Sequence, residues 1–382
     1  MEMSAASDQD VLRQAVAAFV DREVVPYRAE WDRVEQVDRA IIGKLAGLGL
    51  LGLTLPEEHG GTPASYRTYC VLMEELGRGD SSVRGIVSVS LGLFGKTVYA
   101  EGNDEQRARW LPGICSGDSL GCFALTEPGV GSDAASLTTR AVRDGDDWLI
   151  SGEKVFITNG TWANLALVFA RTGEAGARGI TAFVVPSDAA GFTATEIRGK
   201  LGLRGQATAS LHLDGVRVRD ADRLGEEGRG FKVAMAALSR GRMSLAAGCV
   251  GVSRGCLEAS VAYATERHQF GKPLAAHQLV QEMIADIAVE TDAARALTWI
   301  AADLADAGER IDLAASKAKY FASETAVRSA NRALQVFGGY GYIDEYPVGK
   351  YLRDARVTTL YEGTSQIQKL IIGQALTGIS AF

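Results

Sequence analysis

The sequence has few of the residues that metal centres and disulfide frameworks require. Its 382 residues include four histidines and five cysteines, and no two cysteines form a C-x-x-C pair. An odd number of scattered cysteines argues against both a disulfide framework and a thiolate zinc site. We therefore predict reduced, mostly buried thiols and no bound metal ion.

Long segments of one charge or of high hydropathy are also missing. Forty Lys and Arg residues against 47 Asp and Glu residues give a dispersed formal net charge of −7, which disfavours a nucleic-acid-binding face. The longest apolar stretch, residues 45–55, is too short to span a bilayer. Acidic residues occupy the N-terminal stretch where a signal or transit peptide needs Lys or Arg. These features predict a cytoplasmic protein without a membrane span.

The residues that are abundant divide the chain into three regions. In residues 1–118, apolar side chains recur at helical spacing from Val11 onward, which predicts an N-terminal helical domain. Residues 119–229 consist of short β-branched and aromatic runs between turn residues, typical of an antiparallel β-barrel or sandwich. Helical spacing returns in residues 230–382, which predicts a C-terminal helical bundle. The fold class is thus α+β and mostly α-helical.

Two local predictions follow from the same patterns. Leu211, Leu213, Val216 and Val218 alternate with polar residues, which indicates a strand pair that turns at Asp214–Gly215. Two long helices flank the short connector of residues 306–312, so we expect them to pack as an antiparallel hairpin.

Two glycine motifs match the dinucleotide-binding pattern G-x-G-x-x-G or its G/A variant. The first, residues 47–52, follows a predicted helix, whereas the pattern requires a preceding strand and a following helix. The second, residues 129–134, leads into a predicted hairpin, so neither motif indicates a Rossmann domain. Residues 126–133 nevertheless concentrate hydroxyl groups and backbone amides in one turn, which suits either a polar ligand or an ordinary decorated turn.

The C-terminal residues contain the strongest functional pattern. The segment Gln335–Tyr342 reads QVFGGYGY, and Tyr361–Gln368 reads YEGTSQIQ. Glu362 alone would be read as a surface carboxylate, but it lies between an aromatic residue and a glycine. The low steric bulk of glycine can bring the acid against a ligand, and a neighbouring ring can raise its pKa.

Motifs along the whole chain resemble the acyl-CoA dehydrogenase family, flavoproteins that introduce a trans α,β double bond into an acyl thioester. The matching segments are LTLPEEHGG at residues 53–61, LTEPGVGSD at 125–133, KVFITNG at 154–160, GFKVAM at 230–235 and ERHQFGKP at 266–273. The resemblance implies the family fold: an N-terminal helical domain, a central β domain and a C-terminal four-helix bundle.

The resemblance also implies FAD as the cofactor. Leu125, Thr126, Gly131 and Ser132 match the loop along the flavin and pyrophosphate, and Phe156, Ile157 and Thr158 match the segment against the isoalloxazine ring. Many relatives have Trp where this chain has Phe156. Thr364 and Gln366 match contacts to the adenosine portion, while Arg267, Phe270, Gln335 and Gly339 match residues that reach the FAD of a neighbouring subunit. A homotetramer built as a dimer of dimers is therefore expected.

By the same resemblance, Glu362 is the base that removes the α-proton while a β-hydride passes to flavin N5. The thioester carbonyl would be held by the Glu362 amide and a flavin ribityl hydroxyl. Some family members carry the base on an earlier helix, where this chain has Gly241, so Glu362 is the only candidate at a matching position. The expected substrate-binding residues are Ser132, Ser239, Arg242, Tyr361 and Gly363.

Three functions remain open at this point. The first is dehydrogenation of an acyl-CoA to a trans-2-enoyl-CoA, with electron-transfer flavoprotein as the expected acceptor. The second is a dehydrogenase, or an oxidase that passes electrons to oxygen, acting on an acyl or aminoacyl group bound to a carrier protein. A flavoprotein relative that binds nucleic acid is disfavoured by the net charge of −7.

Overall fold

Helices, then a sheet, then helices follow one another along the chain, as predicted. The structure is a computed structural model that describes residues 8–381. The cytoplasmic location was predicted in part from the acidic N-terminal stretch, and most of that stretch lies outside the described residues. The α+β fold with a central sheet domain is confirmed.

From residue 8 onward, seven α-helices form the N-terminal region. They are α1 (Asp8–Glu23), α2 (Arg28–Val34), α3 (Ile41–Gly47), α4 (Tyr66–Gly79), α5 (Ser81–Val87), α6 (Lys96–Glu101) and α7 (Asp104–Ser116), with a π-helical segment at Ser88–Gly95. Local capping sets several of their starts: Ser65 caps α4, Asp80 caps α5, and Asn103 forms a capping box with Gln106 at α7. On α1, Val16, Phe19 and Val20 are buried, whereas Val11 at the start of the predicted apolar stripe is 54% exposed.

Eight strands build the central sheet. They are β1 (Gly121–Ala124), β2 (Arg140–Asp144), β3 (Asp147–Thr158), β4 (Leu165–Arg171), β5 (Ile180–Pro186), β6 (Phe192–Glu196), β7 (Thr208–Arg219) and β8 (Arg223–Leu224). Their order is β6-β7-β3-β2-β4-β5-β8, and β1 pairs with β4. Most pairs are antiparallel, but β1 and β2 each run parallel to β4, a feature that the antiparallel prediction did not include.

The predicted strand pair with a turn at Asp214–Gly215 is wrong, because β7 continues through these residues as one strand. Leu211, Leu213, Val216 and Val218 are all buried, as predicted. The change of register between Leu213 and Val216 is absorbed by a β-bulge opposite Ser151. Gly215 has φ 61°, a conformation that glycine adopts without strain, and its N–H donates to the Ser151 hydroxyl.

The C-terminal region is helical, as predicted, and the expected helix hairpin is present. Its helices are α8 (Gly230–Glu266), α9 (Gln278–Asp306), α10 (Asp312–Phe337), α11 (Val348–Val357) and α12 (Ser365–Thr377), and a small hairpin of β9 (His268–Gln269) and β10 (Lys272–Pro273) precedes α9. Helices α8, α9 and α10 pack against one another, and α11 and α12 both pack on α10. The region therefore has one helix more than the four that the resemblance implied.

Helix α8 lies at the centre of the molecule, where it contacts α4, α9, α10 and the sheet. By length and composition alone it could cross a membrane, since its most apolar window has a mean hydropathy of 1.2. However, 67% of that window is buried inside the protein, which is the usual situation of a core helix. All five cysteines are free and buried, as predicted.

A buried ion cluster joins the N-terminal and C-terminal regions. The Lys350 ammonium lies 2.8 Å from a carboxylate oxygen of Asp80 and 2.5 Å from one of Asp354. Asp80 also accepts hydrogen bonds from the N–H groups of Ser82 and Val83 at the start of α5. Asp354 accepts a hydrogen bond of 2.7 Å from the Leu203 N–H. The cluster thereby fixes α5 relative to α11.

Candidate active site

A cavity of about 700 Å³ lies where the three regions meet. Its walls come from α5 and the π-helical segment, the β1–β2 loop, the end of β3, α8, and the segment between α11 and α12. Eleven of the residues that the sequence predicted for a cofactor or substrate line it: Leu125, Thr126, Gly131, Ser132, Phe156, Ile157, Thr158, Arg242, Tyr361, Glu362 and Gly363. The fold thus brings together residues that are far apart in the sequence.

The turn that carries Glu362 is held by side chains from three helices. Glu362 and Gly363 have φ values of 55° and 87°, and this left-handed region is unfavourable for a glutamate. The Glu362 carbonyl accepts hydrogen bonds from Arg242 Nε at 3.3 Å and Gln368 Nε2 at 3.2 Å. The Gly363 carbonyl accepts one from Lys319 Nζ at 2.7 Å. These bonds stabilise a backbone conformation that the residue itself would avoid.

The carboxyl group of Glu362 is poised to accept a proton. Its Oε2 atom is buried and has no hydrogen-bond partner among the described residues. Burial raises the pKa of Glu362, although the positive charges of Arg84, Lys319 and Arg242 oppose this rise. Within residues 8–381, the backbone N–H of Glu362 also has no hydrogen-bond acceptor. A desolvated carboxylate beside a free N–H can remove a proton next to a carbonyl group while the N–H binds the carbonyl oxygen.

Gly241 on α8 makes room for this carboxyl group. A Cβ atom at Gly241 would lie 2.6 Å from Glu362 Oε2 and 2.8 Å from Leu93 Cδ2. Both distances are shorter than van der Waals contact, so a side chain here would displace the Glu362 carboxyl group. Gly241, which by the resemblance excluded a base at this position, is therefore also required for the observed placement of the Glu362 carboxyl group.

Replacing Gly241 with alanine is expected to lower activity without destabilising the protein. Alanine favours a helix over glycine by up to about 1 kcal/mol, and the atoms in its way are side-chain ends that can move. A displacement of the carboxyl group by about 1 Å should reduce turnover by about 100-fold. Gly373→Ala in α12 is the matched control, because a Cβ there meets nothing within 4 Å. An active Gly241→Ala variant would contradict this role of the glycine.

The opposite wall of the cavity comes from β3 and the β1–β2 loop. A second β-bulge, at Val155–Phe156, gives Phe156 a φ of 59° and turns its ring into the cavity. The Phe156 side chain is 68% exposed, which is unusual for a large apolar ring at a strand end. A flat apolar ring system would cover it, and the hydroxyl groups of Thr126 and Ser132 line the same cavity. This wall fits a flavin.

A buried ion pair holds the β1–β2 loop in place. Lys154 Nζ on β3 lies 2.9 Å from Glu127 Oε1 and also donates to the Leu125 carbonyl. Glu127 further accepts hydrogen bonds from the N–H groups of Thr138 and Thr139. Burial alone would raise the pKa of Glu127, but Lys154 and these bonds lower it to about 2, so it stays ionised. The pair thereby links the start of the loop, at Leu125, to its end at Thr138 and Thr139.

The four residues predicted to reach a neighbouring subunit's FAD lie away from this cavity. Arg267 and Gly339 line a separate concave surface of about 450 Å³. Gln335 is exposed near it, and Phe270 is 93% exposed. A single chain therefore does not bring these residues to the Glu362 cavity.

Three further predicted residues do not line the cavity either. Thr364 caps α12 by accepting a hydrogen bond from the Ile367 N–H, and Gln366 is exposed in the first turn of that helix. Ser239 is buried, and its hydroxyl donates to Asp312 Oδ1 at 2.7 Å. Its hydrogen-bonding capacity is thus engaged within the protein.

Arg84 and Lys319 are functional candidates that the sequence analysis missed. Arg84 lines the cavity, and Lys319 holds the turn at Gly363. Arg84 is the only charged residue in residues 81–95, a signal that the sequence did offer. Lys319 gives no comparable signal, because its role depends on a contact between distant segments. Across residues 8–381 there is no group of three or more His, Cys, Asp or Glu residues that could hold a metal ion.

Family models match nearly the whole chain. The N-terminal, middle and C-terminal domains of acyl-CoA dehydrogenase match residues 6–118, 122–216 and 228–377. The sequence is 41% identical over 377 residues to an acyl-CoA dehydrogenase of Bacillus subtilis, covering 98% of this chain and 100% of the relative. It is also 41% identical over 363 residues to the human mitochondrial short-chain specific acyl-CoA dehydrogenase, covering 95% and 88% of the two chains.

Solved structures agree with the family models. One, from work on the electron transferring flavoprotein of Acidaminococcus fermentans, has a TM-score of 0.96 and 37% identity and covers 99% of this chain and 100% of that chain. A glutaryl-CoA dehydrogenase from Mycobacterium smegmatis in complex with FADH2 has a TM-score of 0.94 and 35% identity, with coverages of 99% and 96%. The prolyl acyl carrier protein oxidase AnaB has a TM-score of 0.94 and 30% identity, with coverages of 98% and 100%.

The chain belongs to the acyl-CoA dehydrogenase family, and it is an oxidoreductase. The resemblance found in its motifs is confirmed by these matches. Members of this family depend on FAD.

Proposed function

We propose that this protein is an FAD-dependent dehydrogenase that converts an acyl-CoA to a trans-2-enoyl-CoA, with Glu362 as the base. The observation that carries the proposal is the buried, unpartnered Glu362 Oε2 atom at the wall of the cavity. A buried carboxylate oxygen without a partner does not stabilise the fold. A base that removes a weakly acidic α-proton, in contrast, needs to be shielded from water in this way.

The residues present fit FAD at the wall opposite Glu362. Leu125, Thr126, Gly131 and Ser132 would hold the flavin and pyrophosphate, and Phe156, Ile157 and Thr158 would pack against the ring. Thr364 and Gln366, which do not line this cavity, would contact the adenosine portion outside it. When bound, FAD supplies the acceptor for the hydride that leaves the β-carbon of the substrate.

The chain's own residues perform three tasks in this reaction. The Glu362 carboxylate takes the α-proton, and its backbone N–H binds the thioester carbonyl oxygen, which stabilises the negative charge that develops there. Arg242 and Lys319 keep the turn in the required conformation, as described above. Apolar residues such as Leu93 and Phe123 exclude water from the base. Together these effects raise the acidity of the α-proton and the basicity of the carboxylate.

The assembly and the partners are part of the proposal. Arg267, Phe270, Gln335 and Gly339 would complete the FAD site of a second subunit, in a homotetramer built as a dimer of dimers. The resemblance supports this arrangement, as does the 93% exposure of the Phe270 ring. We propose electron-transfer flavoprotein as the electron acceptor, and a cytoplasmic location remains a prediction from the sequence.

A second candidate keeps the same chemistry on a different carrier. The acyl or aminoacyl group would be bound to a carrier protein, and the electrons would pass to electron-transfer flavoprotein or to oxygen. The similarity to AnaB, named as a prolyl acyl carrier protein oxidase, favours this alternative.

Anaerobic titration of the FAD-loaded protein with acyl-CoA and acyl-carrier-protein thioesters separates the two candidates. Bleaching of the flavin by acyl-CoA at micromolar concentration supports the first, and bleaching only by carrier-bound thioesters supports the second. Flavin that no thioester of either class reduces would overturn the proposed function. Admission of air to the reduced protein then tests oxygen as the acceptor.

A further inference from the structure

Lys96 is a buried cation that the proposed reaction does not use. It is the first residue of α6 and is only 4% exposed. Among the described residues, its ammonium group has no hydrogen-bond acceptor and no carboxylate within ion-pair distance. It lies instead over two aromatic rings, 3.6 Å from the ring centroid of Tyr69 and 4.5 Å from that of Tyr66. The buried lysines Lys154 and Lys350, in contrast, each have a carboxylate partner.

A second cation, Arg240 on α8, approaches Lys96. Its Nη2 atom donates to the hydroxyl group of Thr97, the residue next to Lys96, at 3.3 Å. Its Nε atom is buried and has no hydrogen-bond partner in the part of the chain that the structure describes. No described carboxylate lies within ion-pair distance of this guanidinium group either. Burial lowers the pKa of Lys96 to about 7, and repulsion by Arg240 contributes to this change.

The nearby carboxylates do not neutralise the two cations. Asp306 at the end of α9 attracts Lys96 through space. Its two carboxylate oxygens, however, accept hydrogen bonds from the N–H groups of Tyr66 and Arg67, at 2.6 and 3.1 Å. Glu101 on α6 attracts the guanidinium group, but it is exposed to water. Both acids therefore act from a distance, without a direct contact to either cation.

The other groups around the two cations are neutral. Burial raises the pKa of the Cys70 thiol to about 12 and also raises the pKa of the Tyr66 hydroxyl. The Tyr69 hydroxyl, whose pKa burial raises as well, donates to the Ser244 hydroxyl at 2.9 Å. Cation–π contacts with the two rings recover only part of the cost of burying an ammonium group. The two cations therefore lack a negative charge.

This pair of cations lies outside the active-site cavity, which neither residue lines. Leu238 and Arg242 line that cavity from α8. Each of them is two residues from Arg240, which corresponds to about 200° around the helix, so Arg240 points away from the cavity. A ligand held by Lys96 and Arg240 would be additional to the proposed FAD and thioester. Neutral walls favour a small monovalent anion, because a divalent anion loses more hydration energy on burial.

We propose that Lys96 and Arg240 bind a chloride ion, with the Lys96 ammonium group and the Arg240 Nε–H as its donors. The ion supplies the missing negative charge, keeps Lys96 protonated and holds α6 against α8. The inference is independent of the proposed function, because neither cation lines the cavity that contains Glu362.

The titration of Lys96 tests this inference in the FAD-loaded protein. Lysine labelled with carbon-13 at Cε is followed by NMR as a function of pH, in chloride and in gluconate, a much larger anion, at equal ionic strength. The signal that is lost in Lys96→Met identifies Lys96. We expect chloride to increase the proton affinity of Lys96 about ten-fold, as linkage requires when chloride is present at about ten times its dissociation constant.

Arg240→Met should remove this effect of chloride, because it removes the Nε–H donor and keeps an apolar stem. Lys232→Met, at an exposed position in the first turn of α8, is the matched control and should retain the effect. Crystals of the wild-type protein soaked in bromide should show an anomalous scattering peak between Lys96 Nζ and Arg240 Nε.

Two results would overturn the chloride site: the same Lys96 titration in chloride and in gluconate, or an effect of chloride that persists in Arg240→Met. FAD content and thermal unfolding show whether each variant is folded. If Arg240→Met is not folded, the bromide experiment decides, and the absence of bromide between the two side chains overturns the inference. None of these measurements uses a thioester, so a failure of the proposed function in the flavin-bleaching experiment is seen separately.

Discussion

Replacing Glu362 with glutamine is expected to leave a folded, FAD-loaded protein whose flavin is no longer reduced by acyl thioesters. The amide has nearly the same shape as the carboxyl group and cannot accept the α-proton. A general base contributes about 10²- to 10⁴-fold to such a reaction, and we expect a loss at the upper end of this range. The rate of anaerobic flavin bleaching measures it.

The environment of Glu362 explains the size of this effect. Its Oε2 atom has no hydrogen-bond partner among the described residues. No protein group next to this atom could therefore accept the α-proton instead of Glu362. Glu345→Gln, a substitution at an exposed residue, is the matched control and should keep full activity. Flavin reduction by Glu362→Gln at close to the wild-type rate would show that another group is the base.

Replacing Lys350 with methionine is expected to destabilise the protein by about 3–5 kcal/mol. Lys350 is the counter-ion of two buried carboxylates, Asp80 and Asp354, whose side chains are 1% and 2% exposed. Burial alone would lower the pKa of Lys350, but the two carboxylates raise it well above its usual value, so the lysine stays charged. Without the lysine, the carboxylates repel each other in a region that water does not reach. Urea unfolding followed by circular dichroism measures the loss.

Lys317→Met, at an exposed position on α10, controls for the loss of a positive charge and should change stability by less than about 0.5 kcal/mol. Equal stability of Lys350→Met and the wild-type protein would contradict the role of the cluster. Because Asp80 caps α5, we also expect Lys350→Met to weaken the placement of Arg84.

The parts of the fold that the sequence predicted correctly depend on local patterns. The inward face of α1 and the hairpin of α9 and α10 follow from apolar spacing and a short connector, which a single segment contains. The strand pair at Asp214–Gly215 was predicted wrongly, because the bulge through which β7 continues as one strand depends on pairing with Ser151 on another strand. The turn residues alone were compatible with either structure.

The candidate site shows the same limit. The residues of the β1–β2 loop and the Tyr361–Gly363 turn were predicted from motifs, and they line one cavity. The contact of Lys319 with Gly363 joins α10 to a turn that follows α11, and no sequence pattern links the two. Arg267, Phe270, Gln335 and Gly339 lie outside the cavity of their own chain, so their predicted role requires a second subunit.

The most direct test of the proposed reaction is a mass analysis of the thioester after anaerobic mixing with the FAD-loaded protein, with the panel of thioesters described above. For wild-type protein we expect a product lighter by two hydrogen atoms, in an amount equal to the flavin reduced, and no such product with Glu362→Gln. Unchanged thioesters with oxidised flavin in the wild-type protein, or the same product from both proteins, would contradict Glu362-dependent dehydrogenation.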